Sequence, residues 1–471
     1  MKLIIGIVFT ASFFSILNSG MVNVALPTIM NEFGVDFQYS TWLYSGYMLP
    51  YAVAMPVFGR LGDIYGQKRI FLIGVLIFSI GSLLCSLAAG FWQLLAFRAV
   101  QAIGAAAIMP NAMVLITSPF DVTMRAKVLG WWGMVSSTGS LIGPTLGGVL
   151  TEHVGWHSIF YVNVPFAVAV ILLGIKYIPV IKTVDEKPEF DKLGAVFLIV
   201  SMVSLMLAIT LMKEISLYFS QILLLLGVFL CFLVFFIWWE KKQKYPLVSI
   251  ELFRNIPFSA TITTSFIQSM AMFGGLLLIP MYLQKVHDFS PTYSGILILP
   301  MSLAMMVMAP LMGNVSTEKK RQNYAFKGMI VLVVGLGIFS TLKFESRYLI
   351  LAAALVTTGI GLGISGTPLS TSVINLVSRE QTGVASGIFN MMRFLGGVVG
   401  STIFGVYLQN RISYHSVGSD LSLPGMQQIV MTESFHDVYI LAMIFASFGV
   451  ITALGMRVKE KETETVKGGN K

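Results

Sequence analysis

Residues 41–89 read TWLYSGYMLPYAVAMPVFGRLGDIYGQKRIFLIGVLIFSIGSLLCSLAA. Two apolar runs, 41–60 and 70–89, are each as long as the roughly 20 residues a helix needs to cross a bilayer. Between them stands a short segment holding Asp63, Lys68 and Arg69. A stretch so brief and polar reads as a turn outside the membrane, and the whole as a membrane-crossing helical hairpin. The rest of the chain repeats the pattern. Of 471 residues, 56% are apolar and 11% charged, against about 25% charged in a soluble domain. Mean hydropathy is +0.81. That excludes a water-soluble enzyme, and 34 Phe exclude a disordered chain. The N-terminal MKLIIGIVFTASFFSILNSG stays apolar past Leu26, too long for a signal peptide, and reads as a retained first span.

Fourteen segments qualify as spans: 4–30, 41–60, 70–89, 94–116, 128–150, 158–178, 193–212, 217–239, 258–283, 292–313, 327–342, 348–372, 383–408 and 436–456. The segment 327–342 is the shortest. An even count puts both termini on one side, and the excess of Lys and Arg in short loops marks that side as cytoplasmic. With the termini inside, 24 of the 31 Lys and Arg lie in cytoplasmic segments and 5 outside. The other two, Arg98 and Arg393, fall within spans. The net charge of +9 is thereby accounted for by topology, with no nucleic-acid partner. Cys85 and Cys231 sit in separate apolar runs, without disulfide or metal-ligand spacing.

An internal echo recurs at an offset of 254 residues. Pro56-Val-Phe-Gly59 ends the second span and Pro310-Leu-Met-Gly313 the tenth, and Leu141 and Gly143 fall on Leu395 and Gly397. With the topology, this predicts an all-α membrane protein of two six-helix halves, 1–178 and 257–457. Residues 179–256 hold a cytoplasmic loop, two inserted central helices and a flanking loop, and 458–471 form a cytoplasmic tail. Paired halves with a site between them near the midplane is a transporter architecture.

The segment GRLGDIYGQKR (59–69) resembles motif A of the major facilitator superfamily, G-x-L-[GA]-D-x-x-G-x-[KR]-[KR]. Fourteen spans point to its 14-helix drug:proton antiporter branch, the multidrug and tetracycline-type exporters. LNSGMVNVALP (17–27) resembles that branch's first-helix motif. RAVQAIGAAA (98–107) resembles motif B, with Ala102 where Gly is usual. GWWGMVSSTGSLIGPTLGG (130–148) fits the antiporter motif C at every fixed position. WHSIFYVNVP (156–165) resembles the sixth-helix entry, with His157 for the usual Arg, and GVASGIFNMMRFLGG (383–397) the thirteenth helix.

The resemblance implies roles. Gly59, Asp63, Gly66, Lys68 and Arg69 would form the motif A gate, Asp63 closing the cytoplasmic side against the start of the thirteenth helix near Gly383 and Val384. An acid at a helix N-terminus gains about 0.3–1 kcal/mol, weak enough to break each cycle. Gly59, Gly62 and Gly66 would give a tight turn. Arg98, Gln101 and Gly104 belong to motif B. Motif C supplies Gly130, Gly139, Gly143, Pro144, Gly147 and Gly148. Its glycines at every fourth residue make a bare stripe for a close helix, and Pro144 favours a kink. The motif suggests a hinge against the opposite half. Arg98 and Arg393 are expected to face the bundle interior, where charge is costly. Gly383, Gly387, Asn390, Arg393, Gly397 and Gly400 share one helical face. Asn18, Gln268, Asn390 and Arg393 lead the candidate cavity residues, with Ser15, Gln101, Thr264, Ser365 and Thr367.

One departure stands out. Members of the branch usually carry Asp where this chain has Asn18, and no Asp or Glu lies well inside any span as drawn. Proton coupling therefore rests on the resemblance. The expected function is secondary active efflux of amphipathic compounds by alternating access, with protons as the coupling ion. A dedicated exporter of a tetracycline-like drug or a lipid is the alternative, and a non-transporting membrane sensor a third reading. No cofactor, metal or enzymatic activity is expected. The protein is expected to be a monomer in the plasma membrane, with the lipid bilayer and a small-molecule substrate as its partners.

Overall fold

The computed structural model describes residues 2–35, 40–180, 190–212, 215–243, 246–248, 250–287, 289, 291–315, 317–343, 348–378, 381–417 and 425–456. The expected tail 458–471 and most of the loop 179–192 lie outside the described residues.

Among the described residues fifteen α-helices follow one another: α1 (Lys2–Phe33), α2 (Ser40–Tyr65), α3 (Gln67–Ser86), α4 (Phe91–Thr117), α5 (Val122–His153), α6 (Ser158–Tyr161), α7 (Asn163–Tyr177), α8 (Lys192–Leu211), α9 (Ile215–Glu240), α10 (Ile256–Val286), α11 (Pro291–Gly313), α12 (Glu318–Ser340), α13 (Tyr348–Asn375), α14 (Thr382–Ser416) and α15 (Met426–Leu454). α6 and α7 together make one candidate span, Ser158–Tyr177, so the described residues form fourteen rods, the number the sequence predicts. Among the described residues eleven are long and apolar enough to cross a membrane by length and composition alone. The other three, α2, α5 and α10, are packed between those eleven.

Polar residues mark where helices begin. Asp121 accepts from Met124 N at 2.9 Å, Asp191 from Gly194 N at 2.9 Å, and Asn255 from Phe258 N at 3.3 Å, each satisfying a first-turn donor. The predicted motif A turn is shorter than expected. α2 continues through Gly59, Gly62 and Asp63 to Tyr65, and the reversal into α3 falls on Gly66 alone, at φ +93°. Only glycine adopts that conformation at low cost. α12 starts nine residues before its predicted span and α15 ten. Apolarity marks only the lipid-contacting part of a helix, while protein-packed turns carry polar residues.

α1, α3, α4, α5 and α7 pack against one another, with α2 joined through α4, and α10 to α15 form a second cluster. The clusters meet along two seams, α2 against α14 and α5 against α11. The inserted pair stands outside: α9 packs on α8, and α8 touches α2 and α14. Met206 and Ile209 of α8 join Ala52 and Val53 of α2 and Leu395 of α14 in one buried cluster. α9 presents Leu217, Leu223, Leu224, Leu230, Val234 and Trp238 outward. An apolar surface of that extent has lipid as its solvent.

Candidate functional site

The α2–α14 seam is built around Asp63. Its Oδ1 accepts from the backbone N–H of Gly383 at 2.9 Å and its Oδ2 from that of Val384 at 3.0 Å. Both donors lie in the first turn of α14, where N–H groups have no intrahelical acceptor and the helix dipole favours an anion. Gln67 Nε2 donates to Oδ1 at 3.2 Å. The close approach needs bare backbones: a Cβ on Gly59 would run into the Gly383 carbonyl, and one on Gly387 would stand 2.6 Å from the Met55 carbonyl. Gly62 makes room for Asn111, whose Nδ2 donates to Phe58 O at 3.1 Å. Burial pushes the Asp63 carboxyl up to about 7, against the lowering effect of Val384, Gly383, Arg60 and Gln67. The two basic residues of the motif go elsewhere. Lys68 Nζ donates to Ile175 O at 2.8 Å, at the end of α7, and Arg69 is exposed.

The α5–α11 seam repeats the arrangement through the other copy of the internal echo. A Cβ on Gly130 would stand 2.7 Å from Ala309 O, and one on Gly313 would stand 2.7 Å from Ala126 O. Thr138 Oγ1 reaches Met306 Sδ at 3.3 Å. The rest of motif C does not face the opposite half, as expected of it, but its own. The bare stripe meets α1: Gly139 beside Phe13, Gly143 beside Leu17 and Gly20, Gly147 beside Met21. Gly148 has only ordinary contact with Val24. α5 continues through Pro144, which itself lies against Gly20. The reason is geometric. α5 is long, and its first half crosses the seam while its second half lies along α1.

Arg98 is 2% exposed and sits inside the first cluster. Its Nη1 donates to Asn18 Oδ1 at 2.9 Å and to Gln101 Oε1 at 2.7 Å. Gln101 Nε2 passes the chain on to Ser82 Oγ at 2.7 Å. The guanidinium stands 4.0 Å from the centre of the Tyr47 ring, a cation–π contact. Gly104 lets α4 approach the α3 backbone at Phe78. Asn18 Nδ2 donates to Ile159 O at 3.4 Å. So the position where an acid was expected does touch Arg98, but as a neutral acceptor.

The four leading cavity candidates do not converge. Asn18 is fully buried in the Arg98 knot. Gln268 bridges α10 to α13, donating to Ser365 Oγ at 2.6 Å. Asn390 Nδ2 returns to Ser386 O of its own helix at 2.9 Å. Arg393 lies at the inter-half seam, 5.8 Å from the Phe389 ring centre, next to the Tyr51–Phe394 edge contact at 4.5 Å. Of the secondary candidates, Ser15 is buried. Thr264 pairs with Thr452 at 2.8 Å, and Thr367 donates to Ala309 O at 3.1 Å.

The family profile described as Major Facilitator Superfamily matches residues 8–401. This chain belongs to the major facilitator superfamily. Multidrug resistance protein Stp of Mycobacterium tuberculosis (strain CDC 1551 / Oshkosh) is 33% identical to this facilitator over 405 residues, covering 84% of this chain and 74% of that protein. Multidrug resistance protein 3 of Bacillus subtilis (strain 168) is 31% identical over 401 residues, covering 84% and 78%. In fold, the crystal structure of the human organic anion transporter MFSD10 (TETRAN) aligns with a TM-score of 0.67 at 14% identity, covering 94% of this chain and 99% of that one.

Several groups of this facilitator escaped the motif reading. Gln67 and Asn111 buttress the Asp63 turn, Tyr47 stacks on Arg98, and Ser386 Oγ donates across the halves to Pro110 O at 3.3 Å. Asn111, Tyr47 and Ser386 are ordinary polar residues in apolar runs, and Gln67 stands at a variable position of the motif A segment. The signal was present only as a polar side chain sharing a helical face with a motif residue.

Proposed function

We propose that this chain is a secondary active exporter of amphipathic drugs or other toxic compounds, working by alternating access and exchanging its substrate for protons. The observation that carries the reading is the Asp63 clamp. One side chain joins the two halves through two backbone bonds at a helix end, a contact strong enough to close one face and weak enough to release. The relatives named for multidrug resistance supply the substrate class. At about 100 mV each translocated charge is worth about 2.3 kcal/mol, sufficient for a modest gradient without ATP. In this reading residues 1–178 and 257–457 are the halves that rock, and 179–256 ride on their seam. Motif A is the gate, Gly130 of motif C guides the second seam, and Arg98, Gln101 and Gly104 hold the first half rigid. Both termini face the cytoplasm, the tail 458–471 with them, and the protein works as a monomer in the plasma membrane.

The test is transport into everted vesicles or reconstituted liposomes with imposed pH or Na⁺ gradients and a varied drug panel. Export should follow the pH gradient and collapse when it is dissipated. Uptake indifferent to every gradient would rule the reading out. Tags after Lys471 and within 179–192 should be cytoplasmic and a tag between 418 and 424 external.

A further inference from the structure

Proton exchange needs an acid that titrates, and the first helix offers Asn18 instead. Two acids meet elsewhere. Glu240 ends α9 and is 3% exposed. Its Oε2 accepts from Val248 N at 3.4 Å, and Leu247 N–H also bonds this carboxyl. Its Oε1 is buried and has no donor among the described residues. That oxygen lies 2.6 Å from the point where a Cβ on Gly194 would stand, and Asp191 Oδ2 lies closer still to the same point. The two carboxylate oxygens are therefore at most about 5 Å apart across the first turn of α8, a spacing at which two like charges cannot both ionise cheaply. Asp191 has its donors already: Gly194 N at 2.9 Å, and the Trp239 indole at 3.0 Å from Oδ1 and 3.1 Å from Oδ2. Asp191 is thus equipped as an acceptor, and Glu240 has a bare oxygen in need of a hydrogen.

We propose that Glu240 and Asp191 form a proton-binding site in which a proton from the aqueous phase sits on Glu240 Oε1, held there by the negative charge of Asp191 beside it. A proton fits where a metal does not. Among the described residues no cluster of three His, Cys, Asp or Glu side chains exists, and hard divalent cations require six or more oxygens. The charged neighbours are few. Lys192, Lys241 and Lys242 are exposed, and Lys242 stands 3.7 Å from the centre of the Trp238 ring. From α2 comes Arg60, which interacts electrostatically with both Glu240 and Asp63. That shared cation links the site to the gate. With Glu240 neutral, Arg60 serves Asp63 alone and the α2–α14 seam is tightened. With Glu240 ionised, the two acids compete for it. The inserted helix pair thereby becomes a proton sensor for the seam on which α8 packs. The binding site stands by itself, and its part in a transport cycle rests on the export reading.

Infrared titration of the purified full-length protein tests the site. Wild type should show a protonated-carboxyl band that survives at neutral pH and is lost on alkalinisation. Glu240→Gln should remove that band, since the amide permanently imitates the protonated acid. Asp191→Asn should shift its loss to lower pH, because the negative charge that disfavours ionisation of Glu240 is removed. Asp63→Asn is the control for the other carboxyl raised by burial and should leave this band in place. A band unmoved by either Glu240→Gln or Asp191→Asn overturns the proposal, and either variant alone decides. Transport read in parallel separates the two readings: if no panel compound is exported while the band behaves as described, the export reading fails and the site stands.

Discussion

Asp63 shows how much one side chain decides. Its partners were legible in the sequence, because the motif resemblance pointed to Gly383 and Val384, and both backbone N–H groups bond it. What was not legible was burial, since turns and seams are made by helices distant in sequence. Burial has a pH consequence. In the closed seam the carboxyl is raised to about 7, and once the seam opens to water it returns toward its ordinary value near 4. An acid with the higher pKa in the closed state takes up a proton on closing. The closed seam is therefore favoured as pH on that side falls from about 7 toward 4, with no further change above 7. Label-to-label distances across the α2–α14 end should shorten over that window, and Asp63→Asn should abolish the response. The same substitution replaces a charged acceptor of two N–H bonds, each worth about 1.5–3 kcal/mol. Transport should fall at least about tenfold while thermal unfolding of the purified protein changes little. Full transport at normal expression would defeat the gating role. Asn18 makes the complementary case. Removing the acceptor with Asn18→Ala leaves one buried N–H of the Arg98 guanidinium unpaired, its Nη1 keeping only the bond to Gln101, and should cost about 1–3 kcal/mol in a thermal or denaturant unfolding assay. Asn18→Asp keeps an acceptor 2.9 Å from Arg98 and should be the milder change in the same assay.

Among the elements, α5 teaches the most. Its glycine spacing was readable as a stripe for close approach, but a single periodicity does not name the partner. Over its length α5 serves two: α11 near Gly130 and α1 from Gly139 to Gly147. α2 and α15 were misjudged in extent for a related reason. A glycine such as Gly59 or Gly62 looks like a turn in isolation, yet inside α2 each removes a side chain where Gly383 or Asn111 must fit. The Asp191–Glu240 pair was invisible because its members are 49 positions apart and meet only when α8 and α9 pack. The α5 assignment makes a sharp contrast between neighbours. A Cβ at Gly147 would stand 2.6 Å from Met21 Cα, whereas at Gly148 it would stand 3.7 Å from Val24 Cγ1. Gly147→Leu should therefore destabilise the detergent-solubilised protein by about 1–3 kcal/mol through overpacking. Gly148→Ala should leave its thermal unfolding midpoint within error of wild type. Equal midpoints for both would mean that α1 does not lie where it is placed.

At the scale of the whole molecule, two arginines reside within spans and their surroundings differ. Arg98 is buried inside one half, against Asn18, Gln101 and Tyr47. Arg393 is only partly buried, lies on the seam between the halves, and has the Phe389 ring as its nearest cation–π partner. Among the described residues the acids within helices lie near helix ends, except Glu433 and Asp437 of α15. Asp437 of α15 is held by Arg411 at 2.6 Å and His415 at 2.8 Å, near the far end of α14. An unneutralised cation in a low-dielectric interior repels a second cation and attracts an anion. A transport panel pairing carboxylate-bearing drugs with quaternary ammonium dyes of similar size reads this directly. Wild type should export the carboxylates more efficiently than the dyes. Arg393→Ala should lower carboxylate export while sparing or raising dye export, and Arg393→Lys should retain the preference because the charge remains. Arg98→Ala should lower both together through lost stability, since its guanidinium is buried in a hydrogen-bonded knot inside one half. Robust export of the dyes alone, untouched by Arg393→Ala, would mean that the charge of Arg393 does not reach the substrate.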